Sequence, residues 1–434
     1  MRNGNKSLQK IQPKIQRGER KIYRKNPFGS LLPKLAIGMA VLLGVYLIFF
    51  FEMPAFYPKS VEISKMTLDS AALTVKTNTS TYKGKLIPMD LLLVLGKGEI
   101  ATVGENEKKL TFDGAEDVVI REGSRKVTIG GKTIKYDAPV MTVGDITLIP
   151  GELMEDLIED AAYKNGVLTY RLSDEAVAQK YETFTGNEGY LRLVNKENPL
   201  PPEFAPTDLV EMNTLKSITA YGSNTQLRKE AATALAKMYN ENGVKYIMSS
   251  GYRDYATQTR LFEEKVANLK AMGYSEERAR TDAATIVALP GTSEHQVGLA
   301  IDFSIPGVVL TESFKDTEAG QWLAANSYRY GFVLRYTEAQ TLITKIIYEP
   351  WHFRYVGLPH SEIIHKEGIV FDTYIEELRE EKLRYYKAQD GTQYIIWLLT
   401  GSLKPKSLEF NTDGGVGVSS DNKEGIILTL PLDQ

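Results

Sequence analysis

One stretch of the chain decides the fold around it, and it reads Gly291-Thr292-Ser293-Glu294-His295-Gln296-Val297-Gly298-Leu299-Ala300-Ile301-Asp302-Phe303-Ser304. A second, distant stretch reads Tyr348-Glu349-Pro350-Trp351-His352-Phe353-Arg354. Gly298 permits a close or left-handed backbone after His295, and the apolar run that follows predicts a strand from Leu299 to Ser304 that fixes Asp302. The two stretches therefore predict one site, to which His352 also contributes.

Two imidazoles and one carboxylate, from His295, His352 and Asp302, can hold a zinc ion, and three protein ligands with an open fourth position are typical of a catalytic zinc site. The chain has no cysteine and only four histidines, so thiolate ligands and disulfides are excluded. Glu349 lies three positions before His352 and is expected beside the metal as a general base rather than as a ligand. His360 and His365 are expected on the surface of a short helix after Gly357, away from the metal.

The overall composition is that of a globular protein with room for two or three domains. Of 434 residues, 43% are hydrophobic and 25% are charged. The formal net charge of −3 offers no basic footprint for a nucleic acid. We therefore expect no nucleic-acid partner.

The N-terminal segment predicts a membrane anchor. Residues 1–34 carry ten lysines and arginines against the single acid Glu19, and residues 35–51 are 17 uncharged, apolar positions. This pattern predicts a basic cytoplasmic tail, a transmembrane helix over 35–51 and a catalytic portion outside the cell, at a single-pass cell-membrane location. A cleaved signal peptide is the alternative, but no small-x-small cleavage site follows Phe51.

Residues 60–175 predict a small β-rich domain. Short β-branched runs alternate with glycine-containing turns, and Gly130-Gly131 has the composition of a tight hairpin turn. The segment 86–91 recurs weakly at 148–153, and each copy predicts a short helix with proline in its first turn. A linker is expected over 176–189.

Residues 190–386 predict an α+β domain with a mainly antiparallel sheet flanked by helices. A proline-rich lead-in over 191–202 is expected as an extended strap. We expect a helix that starts at about 224, a second helix that carries apolar residues over 261–269 and ends near Gly273, and helices over 275–289 and 317–330. Strands are expected over 244–248, 332–336 and 343–348. Residues 387–434 form a C-terminal extension whose apolar runs, 394–399 and 426–430, predict a β-hairpin.

Four motifs of this domain resemble the VanY-type D-alanyl-D-alanine carboxypeptidases and the related L,D-carboxypeptidases. They are Ser-Gly-Tyr-Arg at 250–253, Ser-Glu-His-Gln-Val-Gly-Leu-Ala-Ile-Asp at 293–302, Gly-Phe-Val-Leu-Arg-Tyr at 331–336 and Glu-Pro-Trp-His-Phe-Arg-Tyr-Val-Gly at 349–357. More loosely, residues 130–172 resemble the copper amine oxidase N-terminal-like domain of bacterial surface proteins. That segment contains no histidine or cysteine, so the resemblance implies no copper; a simple spacer is the alternative.

The VanY resemblance assigns roles to individual residues. It implies zinc ligands at His295, Asp302 and His352 and a catalytic base at Glu349. It also implies that Arg253 and Gln258 face the terminal carboxylate or the scissile carbonyl of the substrate. The guanidinium of Arg253 suits the terminal carboxylate, because it can pair with a carboxylate through two hydrogen bonds. Peptide-groove positions are implied at Ser293, Tyr336 and Trp351. A structural ion pair is the alternative role for Arg253.

Together these features predict a membrane-anchored zinc carboxypeptidase that removes the C-terminal D-alanine from peptidoglycan stem peptides. The alternatives are an endopeptidase acting on peptidoglycan cross-bridges, and a cell-wall-binding protein whose peptidase domain no longer catalyses. The motifs leave open whether the cleaved bond follows a D-centre or an L-centre.

Overall fold

The computed structural model describes residues 61–68, 72–79, 85–112, 115–143, 146–158, 161–164, 167–171, 181–186, 188–212, 219–220, 224–241, 243–308, 310–411 and 416–432. The chain divides into two compact units. The first contains the described residues up to Phe184, with 401–416 and 430–434, and the second contains 185–400 and 417–429. C-terminal residues thus belong to both units.

The first unit is built almost entirely of strands. Its elements before residue 185 are β1 (Val61–Leu68), β2 (Ala72–Thr79), β3 (Leu86–Pro88), α1 (Met89–Gly96), β4 (Gly98–Gly104), β5 (Glu107–Phe112), β6 (Val118–Arg121), β7 (Lys126–Ile129), β8 (Lys132–Lys135), β9 (Met141–Val143), β10 (Ile146–Pro150), α2 (Glu152–Leu157), β11 (Ala161–Lys164), β12 (Val167–Arg171) and β13 (Tyr181–Thr183). Strands β4 to β8 form a five-stranded antiparallel meander. A six-stranded sheet, in the order β11-β12-β2-β1-β22-β13, includes β22 (Leu408–Asn411) from the C-terminal region.

The predicted hairpin turn and the internal repeat both have structural counterparts. Gly130 and Gly131, with φ angles of 55° and 81°, join β7 to β8, as a two-residue hairpin turn requires. The repeated segments form β3 with α1 and β10 with α2, and the two strands pair antiparallel with each other. Each proline ends a strand instead of lying in the first helical turn. The resemblance of residues 130–172 to a copper amine oxidase N-terminal-like domain stays a prediction.

The second unit begins with an extended strap and alternates helices with strands. From residue 185 its elements are β14 (Leu209–Glu211), β15 (Gln226–Arg228), α3 (Lys229–Glu241), β16 (Ile247–Ser250), α4 (Tyr255–Ala271), α5 (Glu276–Ala283), β17 (Ala300–Ser304), α6 (Glu318–Asn326), β18 (Phe332–Leu334), α7 (Thr341–Thr344), β19 (His352–Tyr355), α8 (His360–Glu367), α9 (Phe371–Glu381), β20 (Leu383–Lys387), β21 (Gln393–Leu399), β23 (Gly417–Ser420) and β24 (Ile426–Leu432).

The central sheet of this unit has the order β16-β17-β19-β18, and every pair in it is antiparallel, as the sequence predicts. All five residues of β17 are buried, since helices and loops cover both faces. Its apolar side chains pack in a core with α3 and α6, through residues that include Leu235, Met238, Phe303, Leu323 and Phe353. The sheet is therefore a rigid support for the side chains of its two inner strands, β17 and β19.

Several predicted elements differ from the structure. Residues 343–348 do not form a strand, because α7 ends at Thr344 and Lys345 adopts a left-handed φ of 60°. Ile343 and Ile347 are exposed and Ile346 is buried, so one face of the run packs inward, but the run pairs with no strand among the described residues. The helix from 275 ends at Ala283 rather than near 289, and the helix predicted from 224 starts only at Lys229, after β15.

The C-terminal extension joins a sheet with the order β20-β21-β24-β23. The two apolar runs predicted as one hairpin lie in β21 and β24, which are neighbours in this sheet. Each also pairs antiparallel with the strand that precedes it in the sequence, β21 with β20 and β24 with β23. His360 is buried rather than on the surface, because its ring lies between the hydroxyl groups of Tyr374 and Thr429.

The predicted transmembrane helix over 35–51 lies outside the described residues. Among the residues that the structure describes, no helix has both the length and the apolar character needed to cross a bilayer. The predicted fold class is corrected accordingly: it keeps the α+β peptidase domain and the β-rich first unit, and it loses the spanning helix.

Candidate metal centre

Sheet register brings two of the predicted metal ligands together. Asp302 on β17 is directly opposite His352 on β19, and Ser250 on β16 is opposite Asp302 on its other side. Opposed residues on antiparallel strands have neighbouring side chains on the same face. The backbone pairing of three strands therefore holds Asp302 and His352 side by side.

A short 3-10 turn brings the third candidate, His295, to the same place. The turn spans Glu294–Val297 and ends at Gly298, whose φ is 69°. A Cβ atom on Gly298 would come within 3.0 Å of the Leu209 side chain, in a backbone conformation that residues with side chains rarely adopt. Glycine at this position lets the chain turn sharply from His295 into β17.

The three side chains form a compact, buried group. His295 Nε2 lies 3.3 Å from Asp302 Oδ2, and His352 Nδ1 lies 3.0 Å from Asp302 Oδ1. One ligand atom from each residue can be chosen so that all lie within 4.8 Å of one another. Among the described residues this is the one group of three or more histidine and carboxylate side chains with such a geometry.

The hydrogen bonding of His295 leaves one ring nitrogen free to bind a cation. Its Nδ1 lies 2.6 Å from the carbonyl oxygen of Gly251, and because a carbonyl can only accept, Nδ1 carries the proton. Nε2 therefore has a lone pair in the neutral ring, and this buried atom has no hydrogen-bond partner among the described residues. A metal ion would satisfy it, so the residues fit a bound metal.

The charges of these groups favour a bound cation. Burial, assisted by Arg253, lowers the pKa of His295 to about 4, so its ring is neutral at pH 7. Burial would raise the pKa of Asp302, but contacts with His295 and His352 hold it well below its usual range. Burial would lower the pKa of His352, but its hydrogen bond to Asp302 and the neighbouring carboxylate of Glu294 outweigh burial and raise the pKa to about 9. These carboxylates thus retain a proton on His352 that a metal ion could replace.

Glu349 lies beside the group without belonging to it. Its Oε2 is 3.7 Å from His352 Nδ1, and its backbone is fixed because its N–H donates to Tyr336 and its carbonyl accepts from His352. Burial raises the pKa of Glu349 to about 7. A carboxylate with that pKa can both accept and release a proton near neutral pH.

Arg253 follows β16, and its positive charge acts on His295 and Glu349. Its backbone N–H donates to the carbonyl of His295, and the charges of Asp302 and Glu349 act on its guanidinium. Its Nε is buried and has no hydrogen-bond partner among the described residues. A half-buried guanidinium with an unused donor at Nε can bind an anionic ligand.

The remaining predicted residues divide into two groups. Tyr336 and Ser293 are buried at the centre: the Tyr336 ring lies 4.9 Å from that of His352, and Ser293 precedes the turn that carries His295. Gln258 and Trp351 are held by the fold, since Gln258 donates to the carbonyl of Ala288 and Trp351 packs against the core. The predicted groove roles of all four stay predictions.

Sequence reasoning missed a buried ion cluster beneath the metal ligands. Glu294, Arg335, Arg354 and Asp372 are all buried, and Glu294 Oε1 lies 2.8 Å from Arg335 Nε and 3.0 Å from Arg354 Nη1. The first three lie inside the quoted motifs. The signal that could have found them is a charged residue within or beside a predicted buried strand, which is uncommon unless the charge is paired.

Comparison with known families gives a match over this part of the chain. The family model described as VanY, D-alanyl-D-alanine carboxypeptidase, matches residues 224–358. That span contains every predicted catalytic, metal-binding and substrate-binding residue.

Individual relatives match a similar region. A D-alanyl-D-alanine carboxypeptidase of Enterococcus faecalis is 37% identical over 203 residues, covering 46% of this chain and 71% of the relative. A D-alanyl-D-alanine carboxypeptidase of Enterococcus faecium is 34% identical over 252 residues, covering 56% of this chain and 75% of the relative. A solved vancomycin-resistance D,D-pentapeptidase VanY variant in complex with Zn(II) is 37% identical, with 43% of this chain and 99% of that chain covered and a TM-score of 0.37.

Proposed function

The chain belongs to the VanY family of D-alanyl-D-alanine carboxypeptidases, a family of zinc enzymes, and from that premise we propose that it removes the C-terminal D-alanine from peptidoglycan stem peptides. The observation that carries the proposal is the buried group of His295, Asp302 and His352, with its ligand atoms within 4.8 Å and a free lone pair on His295 Nε2. These three residues would hold the zinc ion. When bound, zinc supplies Lewis acidity toward a carbonyl oxygen and lowers the pKa of water.

Glu349 is the residue that moves protons in this proposal. Its carboxylate accepts a proton from the attacking water as the new C–O bond forms. It then delivers that proton to the departing amine as the C–N bond breaks, so the products are a shortened peptide acid and free D-alanine. Burial supports both steps, because it raises the pKa of Glu349 to about 7, and a group with that pKa can accept and release a proton near neutral pH.

Arg253 would select the end of the peptide. A guanidinium with a buried, unpartnered Nε can pair with the terminal carboxylate of a substrate. That pairing fixes the distance from the chain end to the scissile bond, so one residue is removed at a time. The same contact disfavours internal cleavage of a cross-bridge, where no free carboxylate follows the scissile bond.

The experiment that tests this function uses the purified full chain, loaded with zinc, and defined substrates. We expect a pentapeptide stem ending in D-Ala-D-Ala to lose one alanine by mass. Cleavage only of a tetrapeptide in which D-alanine follows an L-centre would make the enzyme an L,D-carboxypeptidase, and shortening of cross-linked dimers would make it an endopeptidase. A chain that lacks stoichiometric zinc and stays inert after zinc is added would refute catalysis and favour a wall-binding role.

We further propose that the peptidase unit works on the outer side of the cell membrane. The support is its substrate class, because mature stem peptides are found in the wall. Protease treatment of intact protoplasts tests this location: digestion of the peptidase unit is expected, and its full protection while a cytoplasmic marker is also protected would refute the proposal.

A further inference from the structure

The two ring nitrogens of His352 face two different carboxylates. Nδ1 lies 3.0 Å from Asp302 Oδ1, on the side of the metal group. Nε2 lies 3.8 Å from Glu294 Oε2, on the opposite side of the ring. Both Nε2 and Oε2 are buried, and neither has a hydrogen-bond partner among the described residues.

The carboxylate of Glu294 is held in place by the rest of the buried cluster. Its other oxygen, Oε1, lies within 3.0 Å of both Arg335 and Arg354. Arg335 also pairs with Asp372 at 2.6 Å, and Arg354 Nη2 donates to the carbonyls of Tyr190 and Arg192 in the strap. Because both arginines are fixed elsewhere, Glu294 cannot turn away, and its free oxygen stays directed at His352.

We infer that Glu294 is a positioning residue for the metal centre: its free carboxylate oxygen accepts the Nε2 proton of His352, which leaves the lone pair of Nδ1 directed at the metal. The inference rests on the proposed function, since it needs His352 to be a ligand. The atoms must approach by about 0.8 Å to reach hydrogen-bond distance, and a small rotation of the ring is sufficient.

The chemistry of a neutral imidazole supports this assignment. Such a ring has one N–H and one lone pair, so the nitrogen that binds a cation determines which nitrogen keeps the proton. If Nε2 had the lone pair, it would face the lone pairs of a buried carboxylate with no proton between them, which is unfavourable. Hydrogen bonds from outer carboxylates to ligating histidines also fix ring orientation and strengthen metal binding.

The two histidines of the centre would then bind through different nitrogens. His295 keeps its proton on Nδ1, where the Gly251 carbonyl accepts it, and offers Nε2. His352 keeps its proton on Nε2 and offers Nδ1. The partner of His295 is the neutral backbone carbonyl of Gly251, and the partner of His352 is the buried carboxylate of Glu294. Loss of the Glu294 carboxylate therefore affects only His352.

A measurement on the unmodified protein tests the tautomer directly. Long-range ¹H–¹⁵N NMR of the zinc-loaded, ¹⁵N-histidine-labelled full chain distinguishes protonated from metal-bound ring nitrogens, and four histidines can be assigned by single His→Gln variants. We expect a protonated Nε2 and a metal-bound Nδ1 in His352. A protonated Nδ1 in His352 would overturn the inference, whether or not any variant folds.

A matched pair of variants tests the energetic role. Glu294→Gln should weaken zinc affinity by about 10- to 100-fold in a chelator competition. Asp372→Asn is the control, because it removes a carboxylate from the same buried cluster that pairs with Arg335 and does not face His352. It should change zinc affinity by less than about threefold.

The outcomes separate the two proposals. Failure of the unmodified chain to bind zinc refutes the proposed function. Normal zinc binding by the unmodified chain, with equal affinity in a folded Glu294→Gln variant, refutes the positioning role alone. Equal weakening in both variants would also refute it, because the effect would then come from the buried cluster as a whole. If Glu294→Gln does not fold, the NMR result on the unmodified chain decides.

Discussion

Asp302 and His352 lie opposite each other on neighbouring antiparallel strands, with 3.0 Å between Asp302 Oδ1 and His352 Nδ1. The side-chain period of a strand is two residues, so a slip of one residue in this pairing would direct one of the two away from the other. Backbone hydrogen bonds in the core of the second unit therefore preorganise these two ligands, whereas the 3-10 turn before β17 positions His295.

Replacing Glu349 with glutamine should abolish catalysis while zinc binding persists. The amide has the same shape but cannot accept a proton, and general-base catalysis contributes about 10²- to 10⁴-fold. We expect kcat on a D-Ala-D-Ala-terminated peptide to fall by that factor, with stoichiometric zinc by metal analysis. Glu338→Gln, at an exposed carboxylate upstream, is the control and should keep full activity. Full activity in Glu349→Gln would refute the base assignment.

Replacing Arg253 with glutamine should remove the preference for a free C-terminus. We expect kcat/KM on the free acid to fall by roughly a hundredfold, because a charge-assisted pair is lost, while a C-terminally amidated peptide, a poor substrate from the start, changes little. Arg260→Gln is the control, since Arg260 lies on the exposed face of α4 in an ion pair with Glu264. An unchanged acid-to-amide ratio in Arg253→Gln would instead support a structural role.

Chelation of zinc should destabilise the second unit and leave it inactive until zinc is restored. Ligand binding to the folded state contributes about 4 kcal/mol when free zinc exceeds its Kd about a thousandfold. All three tryptophans, Trp322, Trp351 and Trp397, lie in this unit, so fluorescence-detected melting follows it alone. Asp302→Ala is the control, and its melting temperature should not respond to the chelator. If the chelator left the melting temperature of the unmodified chain unchanged, that result would contradict a buried metal site.

His360 should make the second unit less stable as the pH falls. Burial lowers its folded-state pKa to about 3, whereas the unfolded chain has a pKa of about 6.5. Between those values the unfolded state binds one proton more than the folded state, so stability is present above about pH 6.5 and is lost below it. From pH 7.5 to pH 5 the loss from this residue is about 2 kcal/mol.

The measurement for His360 is urea unfolding followed by tryptophan fluorescence at the two pH values. His360→Gln keeps polar contacts available to Tyr374 and Thr429 but does not titrate, so its stability should vary less with pH by that amount. His365→Gln is the control, because His365 is exposed on the same helix. An equal pH dependence in the unmodified chain and in His360→Gln would contradict the prediction.

Local sequence patterns predicted those parts of the fold that depend on interactions between residues close together in the chain. The Gly130-Gly131 turn follows from glycine chemistry, and helix α4 follows from the spacing of its apolar residues. Residues 343–348 were predicted wrongly, because an apolar, β-branched run forms a strand only where a partner strand can bury it. Here no described strand pairs with the run, and the left-handed backbone of Lys345 interrupts it.

What the sequence by itself determined is the inventory of the site: with no cysteine and four histidines, a zinc ion could be bound only by His, Asp or Glu, and the spacing of His295, Asp302 and His352 identified them as candidates. What only the tertiary structure decided is how these groups face one another. Three contacts set this arrangement: the register of β17 against β19, the Gly251 carbonyl next to His295, and the Glu294 carboxylate next to His352. Each of them joins residues that are far apart in the chain. No local pattern contains that information, because long-range packing sets the distances between these groups and also buries them, and burial strengthens each electrostatic contact.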